Sequence, residues 1–277
     1  MSVNGTTQLA NLIPEMWSPM MFAELRNNLM MAEFFEKSYE GVISQMGDIV
    51  RVNQVVAPNG EILTDDTQAF NSESLTINQK SLTVNKRASA AIEISDLARL
   101  QSQSFEVEVQ NALVYAVRKK IEQDIIDALI PSASAPDHQI APASASDLAA
   151  ADIAGARKLL RVAKVPTVGM GAFLDPAYYA DILTKTQLVS KDFQSGSPTE
   201  NGNMGNLFGF KVGEHDLLSA DVGFFAHPSA LQVVMQQGLR IKVSDLHANK
   251  KYGYVISADI VYGISLFDNT RIVKITG

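Results

Sequence analysis

Three consecutive ionisable residues, Glu214, His215 and Asp216, are the best candidates for chemistry in the chain. Together they could hold a metal ion or exchange protons with a substrate. Adjacent side chains do not face one way, however, and a turn before Leu217 explains the same residues. No two of the four histidines have the HExxH spacing of a zinc-binding helix. The remaining three are His138, His227 and His247.

Sequence motifs for nucleophilic catalysis and nucleotide binding are missing. Ser195 is not the centre of a Gly-x-Ser-x-Gly elbow. Gly169 and Gly171 begin like a dinucleotide-binding fingerprint, but Leu174 stands where the third glycine is needed. No Gly-Lys-Ser or Gly-Lys-Thr occurs, and the absence of cysteine excludes thiolate sites and disulfides. The sequence therefore predicts no enzyme, no cofactor and no metal site.

Two charged clusters remain as candidate contact sites. The acidic cluster lies in a turn-rich segment that lacks the ligand spacing of an EF-hand, so a solvated loop tip is its simplest interpretation. The basic cluster lies on a predicted helix and has no interleaved aromatic residues, which is weak evidence for nucleic-acid binding. It could meet a phosphate or the acidic loop of a neighbour. The acidic residues are Glu61, Asp65 and Asp66, and the basic residues are Arg118, Lys119 and Lys120.

The composition is that of a folded, acidic protein. Of 277 residues, 46% are hydrophobic and 19% are charged, which supplies a sizeable core and argues against overall disorder. The net charge of −7 weakens any reading in which charge alone binds nucleic acid. The N-terminal residues do not resemble a secretion signal, and no run reaches 18 apolar residues. We therefore expect a product of the cytoplasm without a membrane span.

The first third of the chain predicts an arm followed by a hairpin. Residues 1–40 read as an arm, with a helix that begins at Ser18-Pro19. Residues 41–94 carry two β patterns separated by a polar, turn-rich stretch, which predicts a long two-stranded excursion. An isolated hairpin is only marginally stable in water. It must therefore lie on this chain's core or on a neighbouring subunit, and the residues leave both possibilities open.

A long helix is predicted over residues 104–130. Apolar residues recur every four positions from Phe105 to Leu129 and form a slowly winding stripe. The expected consequence is a wider buried face that includes Ala112, Ala116 and Ala128.

Shorter elements follow this helix. We expect a surface loop over 131–146 and a second helix that is capped by Ser146 and runs from Asp147 to about Lys164. The segment 167–240 predicts an α/β unit. Its expected elements are a strand in Val168–Leu174, a helix from Asp175-Pro176 through Leu183, a flexible loop over 190–206, a strand over Phe208–Val212 and a helix from His227-Pro228 that ends before Gly238. The expected final strands are Tyr252–Leu266 and Arg271–Ile275.

Several local patterns, taken in order, resemble the major capsid protein family of tailed bacteriophages. Gly47-Asp48-Ile49-Val50 resembles the family's strand that begins an extended loop. Ile121-Glu122-Gln123-Asp124 resembles the end of its long helix. Val165-Pro166, the later Leu174-Asp175-Pro176, and Gly205-Asn206-Leu207-Phe208-Gly209-Phe210 resemble three further motifs. One departure is Val168-Gly169 where the family usually has a Gly-Arg pair.

The resemblance implies an α+β chain with the HK97-type capsid fold. It implies an N-terminal arm (1–40), an extended loop (41–94), a peripheral domain (95–165) with a spine helix (104–130), an axial domain (166–240) and closing strands that return to the peripheral domain (241–277). The acidic residues Glu61, Asp65 and Asp66 would then meet Arg118, Lys119 and Lys120 of a neighbour.

The implied function is a shell protein. Copies would form hexamers and pentamers of an icosahedral head that encloses double-stranded DNA without sequence specificity. The head would be assembled in the host cytoplasm with a portal protein, a separate scaffolding protein and, in some heads, a decoration protein. The alternatives are an encapsulin-like nanocompartment shell, a tail or adhesion protein, and a small oligomeric enzyme centred on His215.

Overall fold

The computed structural model describes residues 30–39, 49–56, 58–65, 69, 72–97, 105–130, 136–142, 144, 147–185, 205–247 and 250–277. Four expected features lie outside these residues wholly or in large part. They are the Ser18-Pro19 helix, Asp66, the Ser146 cap and the loop over 190–206.

Within the described ranges the chain forms four helices and eleven strands. The helices are α1 (Met31–Phe34), α2 (Phe105–Leu129), α3 (Ala150–Val162) and α4 (Pro176–Thr184). The strands are β1 (Ile49–Val55), β2 (Ile77–Thr83), β3 (Lys86–Ser95), β4 (His138–Ile140), β5 (Gly171–Leu174), β6 (Asn206–Leu207), β7 (Phe210–Glu214), β8 (Val222–Ala226), β9 (Leu231–Asp245), β10 (Gly253–Leu266) and β11 (Ile272–Thr276).

The strands form three sheets. β1 and β2 make an antiparallel hairpin. β10 lies between β3 and β9 in an antiparallel sheet of three strands. The third sheet has the order β4-β11-β8-β5-β7-β6 and is mixed, with parallel pairs at β4-β11 and β5-β7. The three-stranded and six-stranded sheets meet in one apolar core that also contains α2.

The long helix has the predicted apolar stripe. Val109, Leu113, Val117, Ile121, Ile125 and Leu129 are all buried, and α2 packs across β10 and β3. At 1.5 Å per residue its 25 residues span about 38 Å. The expected broadening at Ala116 is wrong, because that residue is exposed. The buried face instead widens near the C-terminal end, at Glu122, Asp124 and Ile126, where other parts of the chain cover the helix.

The six-stranded sheet buries both faces. Alternate residues of β5 and β8 point into different cores: Phe173 and Phe224 face α2, whereas Ala172 and Phe225 face α3 and α4. α4 begins as predicted, since the Asp175 carboxylate accepts hydrogen bonds from the amides of Ala177 and Tyr178.

The helix predicted after His227-Pro228 is wrong. A single 3₁₀ turn at Pro228–Ala230 leads directly into β9, which continues to Asp245. Val233 and Val234 pair with β10, and Leu231–Val234 are buried on both faces. A strand buried on both sides loses its period-two pattern, so the sequence is easily taken for a helix.

Three smaller predictions also need correction. α3 starts at Ala150 rather than Asp147, because the Asp152 carboxylate accepts a hydrogen bond from the Ala149 amide and starts the helix there. The expected 131–146 loop contains β4, whose backbone pairs with β11. The strand expected at Phe208–Val212 begins later, as β7 at Phe210, because Phe208-Gly209 forms the turn that joins β6 to β7.

Two predicted segment boundaries fall inside elements. The second β run of the expected excursion over 41–94 divides, since β2 pairs with β1 while β3 pairs with β10. The boundary at residue 240 falls within β9. The last strand, expected to return to the peripheral domain, lies instead in the six-stranded sheet between β4 and β8.

Candidate assembly surfaces

The hairpin is anchored at its base by a small apolar core. Leu82 and Val84 are buried there against Val234 of β9, with Tyr39 and Phe267 packed around them. The register runs from Ile49↔Thr83 at the base to Val55↔Ile77, so the strands continue away from this small core.

Beyond the base, the hairpin exposes large apolar side chains. Ile62 is 87% exposed and Leu75 is 70% exposed. Similar exposure extends along the whole hairpin, at Ile49, Val55, Val56, Leu63 and Ile77. An exposed apolar surface of this kind marks an interaction site. Because a two-stranded hairpin is marginal alone, a second surface is needed to bury it.

The acidic cluster lies in this hairpin. Glu61 and Asp65 are exposed and flank the apolar pair Ile62 and Leu63. The connection between the strands is tied by Glu73, whose carboxylate accepts hydrogen bonds from the Asn59 side chain at 3.0 Å and the Asn59 amide at 3.1 Å. The Asn59 side-chain bond, with the backbone bond second, lowers the pKa of Glu73.

The basic cluster lies on the exposed side of α2. Arg118, Lys119 and Lys120 are all exposed. Lys120 is already engaged, because its Nζ lies 2.9 Å from Asp124 Oδ1 one turn later. The acidic and basic clusters thus lie on different elements, and contact between them across two copies stays a prediction.

A groove runs between α2, β9 and the arm segment, which lines it with Ala32, Glu33 and Lys37. It has a volume of about 260 Å³, and Arg118 lies on its wall together with Val117, Ile121, Met235 and Leu239. Farther along β9, Ile241 and Val243 are 41% and 62% exposed. The groove therefore combines apolar side chains with charged groups of both signs.

Two buried carboxylates on α2 carry the polar contacts of the core. Asp124 accepts hydrogen bonds from Tyr262 Oη at 2.6 Å and Lys86 Nζ at 3.1 Å. Burial raises the pKa of Asp124, but the hydrogen bonds from Tyr262, Lys120 and Lys86 outweigh it and leave the pKa below its ordinary value. Burial and the same bond raise the pKa of Tyr262.

The second carboxylate, Glu122, is 1% exposed and joins three parts of the chain. Its oxygens accept hydrogen bonds from the amides of Met31 at 3.1 Å and Ala32 at 3.0 Å. Its Oε2 also lies 3.2 Å from Nε2 of His215, which is fully buried. Sequence reasoning missed this role of Glu122, and its only local signal was a charge beside the apolar stripe.

The structure separates the three residues considered for chemistry. Glu214 and Asp216 are exposed, whereas His215 points inward to Glu122, in agreement with the expectation that neighbours face different ways. Among the described residues no group of three His, Asp or Glu side chains could hold a metal ion. Across those same ranges no helix is long and apolar enough to cross a membrane.

Comparison with known proteins identifies related folds. A family model described as phage capsid protein matches residues 44–277. No curated protein matches the sequence. A solved structure from Mycobacterium phage Che8 is 26% identical, with 96% of this chain and 97% of that chain covered and a TM-score of 0.78.

Two cyanophage structures share the fold at lower identity. The capsid structure of cyanophage P-SCSP1u is 12% identical, with 97% of this chain and 94% of that chain covered and a TM-score of 0.76. The capsid asymmetric unit of cyanophage Pam1 is 14% identical, with 99% and 98% covered and a TM-score of 0.73. These similarities support the HK97-type fold that the sequence predicted.

Proposed function

The chain belongs to the phage capsid protein family, and from this premise we propose how it builds a head. It is a major capsid protein with an HK97-type fold. Copies assemble into hexamers and pentamers, and these close into an icosahedral shell around double-stranded DNA. The role is structural, without catalysis. Particles form in the host cytoplasm and end as part of the virion.

In this proposal each segment has a place in the shell. Residues 1–40 are the arm, 41–94 the extended loop, and 95–165 the peripheral domain with α2 as its spine. Residues 166–240 are the axial domain and point towards the centre of each hexamer or pentamer. Because residues 231–240 pair with β10 as part of β9, we assign them to the peripheral domain rather than to the axial domain.

The observation that supports the proposal best is the exposed hairpin. Ile62 and Leu75 are more than two-thirds exposed in a single chain, while only the base of the hairpin is buried. Burying apolar area stabilises association by roughly 25 cal/mol per Å². A neighbouring subunit supplies that burial in a shell, and repetition over many contacts multiplies a small gain.

The groove beside α2 matches the hairpin in chemistry. The hairpin presents an apolar pair, Ile62 and Leu63, between Glu61 and Asp65. The groove presents apolar walls with the cations Arg118 and Lys37 and the exposed carboxylate Glu33, and Lys119 lies nearby on the helix surface. An exposed ion pair contributes only about 0–1 kcal/mol, so we assign the charges to register and orientation and the apolar residues to affinity.

Negative-stain electron microscopy and light scattering of the chain test this proposal. We expect closed particles tens of nanometres across, formed alone or with a scaffolding protein. Arg118→Glu/Lys119→Glu reduces particle yield while the unassembled chain keeps its circular dichroism and melting temperature. A matched reversal at two exposed lysines elsewhere, Lys158→Glu/Lys164→Glu, leaves the yield unchanged.

A charge-swap experiment tests the pairing itself. Glu61→Lys/Asp65→Lys alone also lowers the yield, and combining it with Arg118→Glu/Lys119→Glu restores a substantial part. If each pair of reversals is harmless, or the combined variant is no better than either, the hairpin does not meet α2 of a neighbour. Closed particles from the wild type would still support the shell.

Further partners follow from the same proposal. A portal protein occupies one vertex, and scaffolding and decoration proteins act during and after assembly. The DNA inside is held without sequence readout, which suits a chain of net charge −7. Particle contents separate this function from an encapsulin-like nanocompartment, since nuclease-protected DNA marks a phage head and a protein cargo marks a compartment.

A further inference from the structure

The arm segment over residues 30–36 lies between three elements that are far apart in sequence. Its amides bond to Glu122 on α2. Phe34 packs edge-on against Phe173 of β5, with ring centroids 5.0 Å apart. Glu36 continues along β9, where the Val233 amide donates to its carbonyl at 3.0 Å and its carboxylate accepts a hydrogen bond from Gln232 at 2.7 Å.

The six-stranded sheet leaves room for this segment by means of two glycines. A Cβ at Gly171 would lie 2.6 Å from the Phe34 ring, and one at Gly213 would lie 2.7 Å from Met30 Cε. A side chain at Gly171 would have to displace the Phe34 ring, whereas one at Gly213 would displace only the flexible end of Met30, so Gly171 is the position that requires glycine. β5 and β7 pair with Gly213 opposite Phe173, which makes the two glycines part of one cradle.

The buried pair formed by Glu122 and His215 holds the arm segment in place. An ionised carboxylate only accepts hydrogen bonds, so the 3.2 Å contact assigns a proton to His215 Nε2. Within the described residues His215 Nδ1 has no hydrogen-bond partner.

We propose that residues 30–36 are a strap, and that Glu122, held by His215, is the positioning residue that fastens it. His215 belongs to the turn after β7, and its ring contacts the Glu122 carboxylate; it acts by orienting and shielding that carboxylate. The strap therefore docks fully only when the His215 turn is seated on α2. Arm docking and the packing of the six-stranded sheet against α2 are one coupled event.

Hydrogen–deuterium exchange on the full-length chain tests the coupling, with the amides of Met31 and Ala32 as the readout. Glu122→Gln replaces one acceptor by a donor and raises exchange at both amides roughly tenfold or more. His215→Ala opens a void beside the carboxylate and raises exchange at the same two amides. His215→Gln retains a donor and restores most of the protection.

Three further variants keep the test decisive. Asp124→Asn removes the other buried carboxylate of α2, and it speeds exchange near Lys86 and Tyr262 but not at the strap. Gly171→Ala displaces the strap from the opposite side and speeds strap exchange without touching Glu122. In contrast, Gly155→Ala adds a methyl with ordinary contact at 3.6 Å and leaves the strap unchanged.

The result that overturns the proposal is equally specific. Strap amides that keep wild-type exchange in both Glu122→Gln and His215→Ala would show that the carboxylate does not fasten the arm. Exchange that rises uniformly over the whole chain, with no extra effect at the strap and no rescue by His215→Gln, would show a merely structural pair. Exchange is measured on the unassembled chain, so the result does not depend on the shell proposal.

Discussion

At the scale of single residues, the polar groups that matter are those that hold distant segments together. Asp124 joins α2 to β3 and β10, and its pKa stays low because three donors outweigh the burial of the carboxylate. Its negative charge is therefore present at every pH above the acid range. The stability that it contributes is lost only as the pH falls through that lowered value.

His227 should make the fold sensitive to mild acid. Its Nδ1 accepts a hydrogen bond from the Ser229 amide at 3.2 Å and caps the 3₁₀ turn that precedes β9. Burial, and then the nearby Arg271, lower the pKa of His227, while a bond to the Val168 carbonyl opposes them. The unfolded chain binds the proton first, so stability falls as the pH drops below about 6.5.

The measurement is the free energy of unfolding at pH 7.5 and 5.5. The contribution of one such histidine changes by at most about 1.4 kcal/mol per pH unit. His227→Asn keeps an acceptor at the cap but does not titrate, so we expect a smaller loss between the two pH values. An equal loss in both proteins would remove His227 as the cause.

At the scale of elements, the hairpin separates folding from assembly. Ile62→Asp and Leu75→Asp change side chains that are 87% and 70% exposed, so the melting temperature of the unassembled chain should move little. Particle yield should fall strongly, because a charge would be buried in the contact. Val168→Asp, at an 83% exposed position outside the hairpin, is the matched control.

Either of two results would contradict this prediction. Normal particles from both hairpin variants would show that the apolar surface is not a contact. Equal loss from Val168→Asp would show that shell formation is sensitive to any added surface charge rather than to the hairpin.

Elements with one buried face could be predicted from sequence, and elements buried on both faces could not. Apolar residues recur at every fourth position of α2 and at alternate positions of β10, because each element buries one side. The first part of β9, which begins with four buried residues in a row, was mistaken for a helix that ends before Gly238. β8 is buried throughout and gave no periodic signal that sequence analysis could use.

The assembly clusters were partly predictable and the strap was not. The acidic and basic runs are visible as charges in sequence, although their contact is untested. Glu122 meets partners 91 and 93 residues away, and a single sequence carries no record of such pairs. The family resemblance supplied the fold, because the order of weak motifs combines information that none of them holds alone.

At the scale of the whole molecule, every copy carries a net charge of −7 and repels the next one. Salt shortens the range of that repulsion from about 10 Å at 0.1 M to about 3 Å at 1 M. Salt does not weaken the apolar contacts of the hairpin in this way. We therefore expect that raising the salt concentration from about 0.05 to about 0.5 M lowers the protein concentration at which particles first form, as measured by light scattering.

The charge-reversed variant Arg118→Glu/Lys119→Glu sharpens this prediction. It replaces two positive charges by two negative ones and makes the net charge of each copy more negative by four, so its onset should depend on salt more steeply than that of the wild type. An onset that rises with salt in the wild type would mean that ion pairs, rather than apolar burial, dominate the contact.

The position of β11 determines when the six-stranded sheet can close during synthesis of the chain. This strand lies inside the six-stranded sheet, between β4, about 130 residues upstream, and β8. A nascent chain cannot close that sheet until Thr276 has left the ribosome, however early α2 and the hairpin form. Truncated chains keep an open sheet edge and attract chaperones or proteases. The topology thus delays closure of the six-stranded sheet until well after β4 has been made.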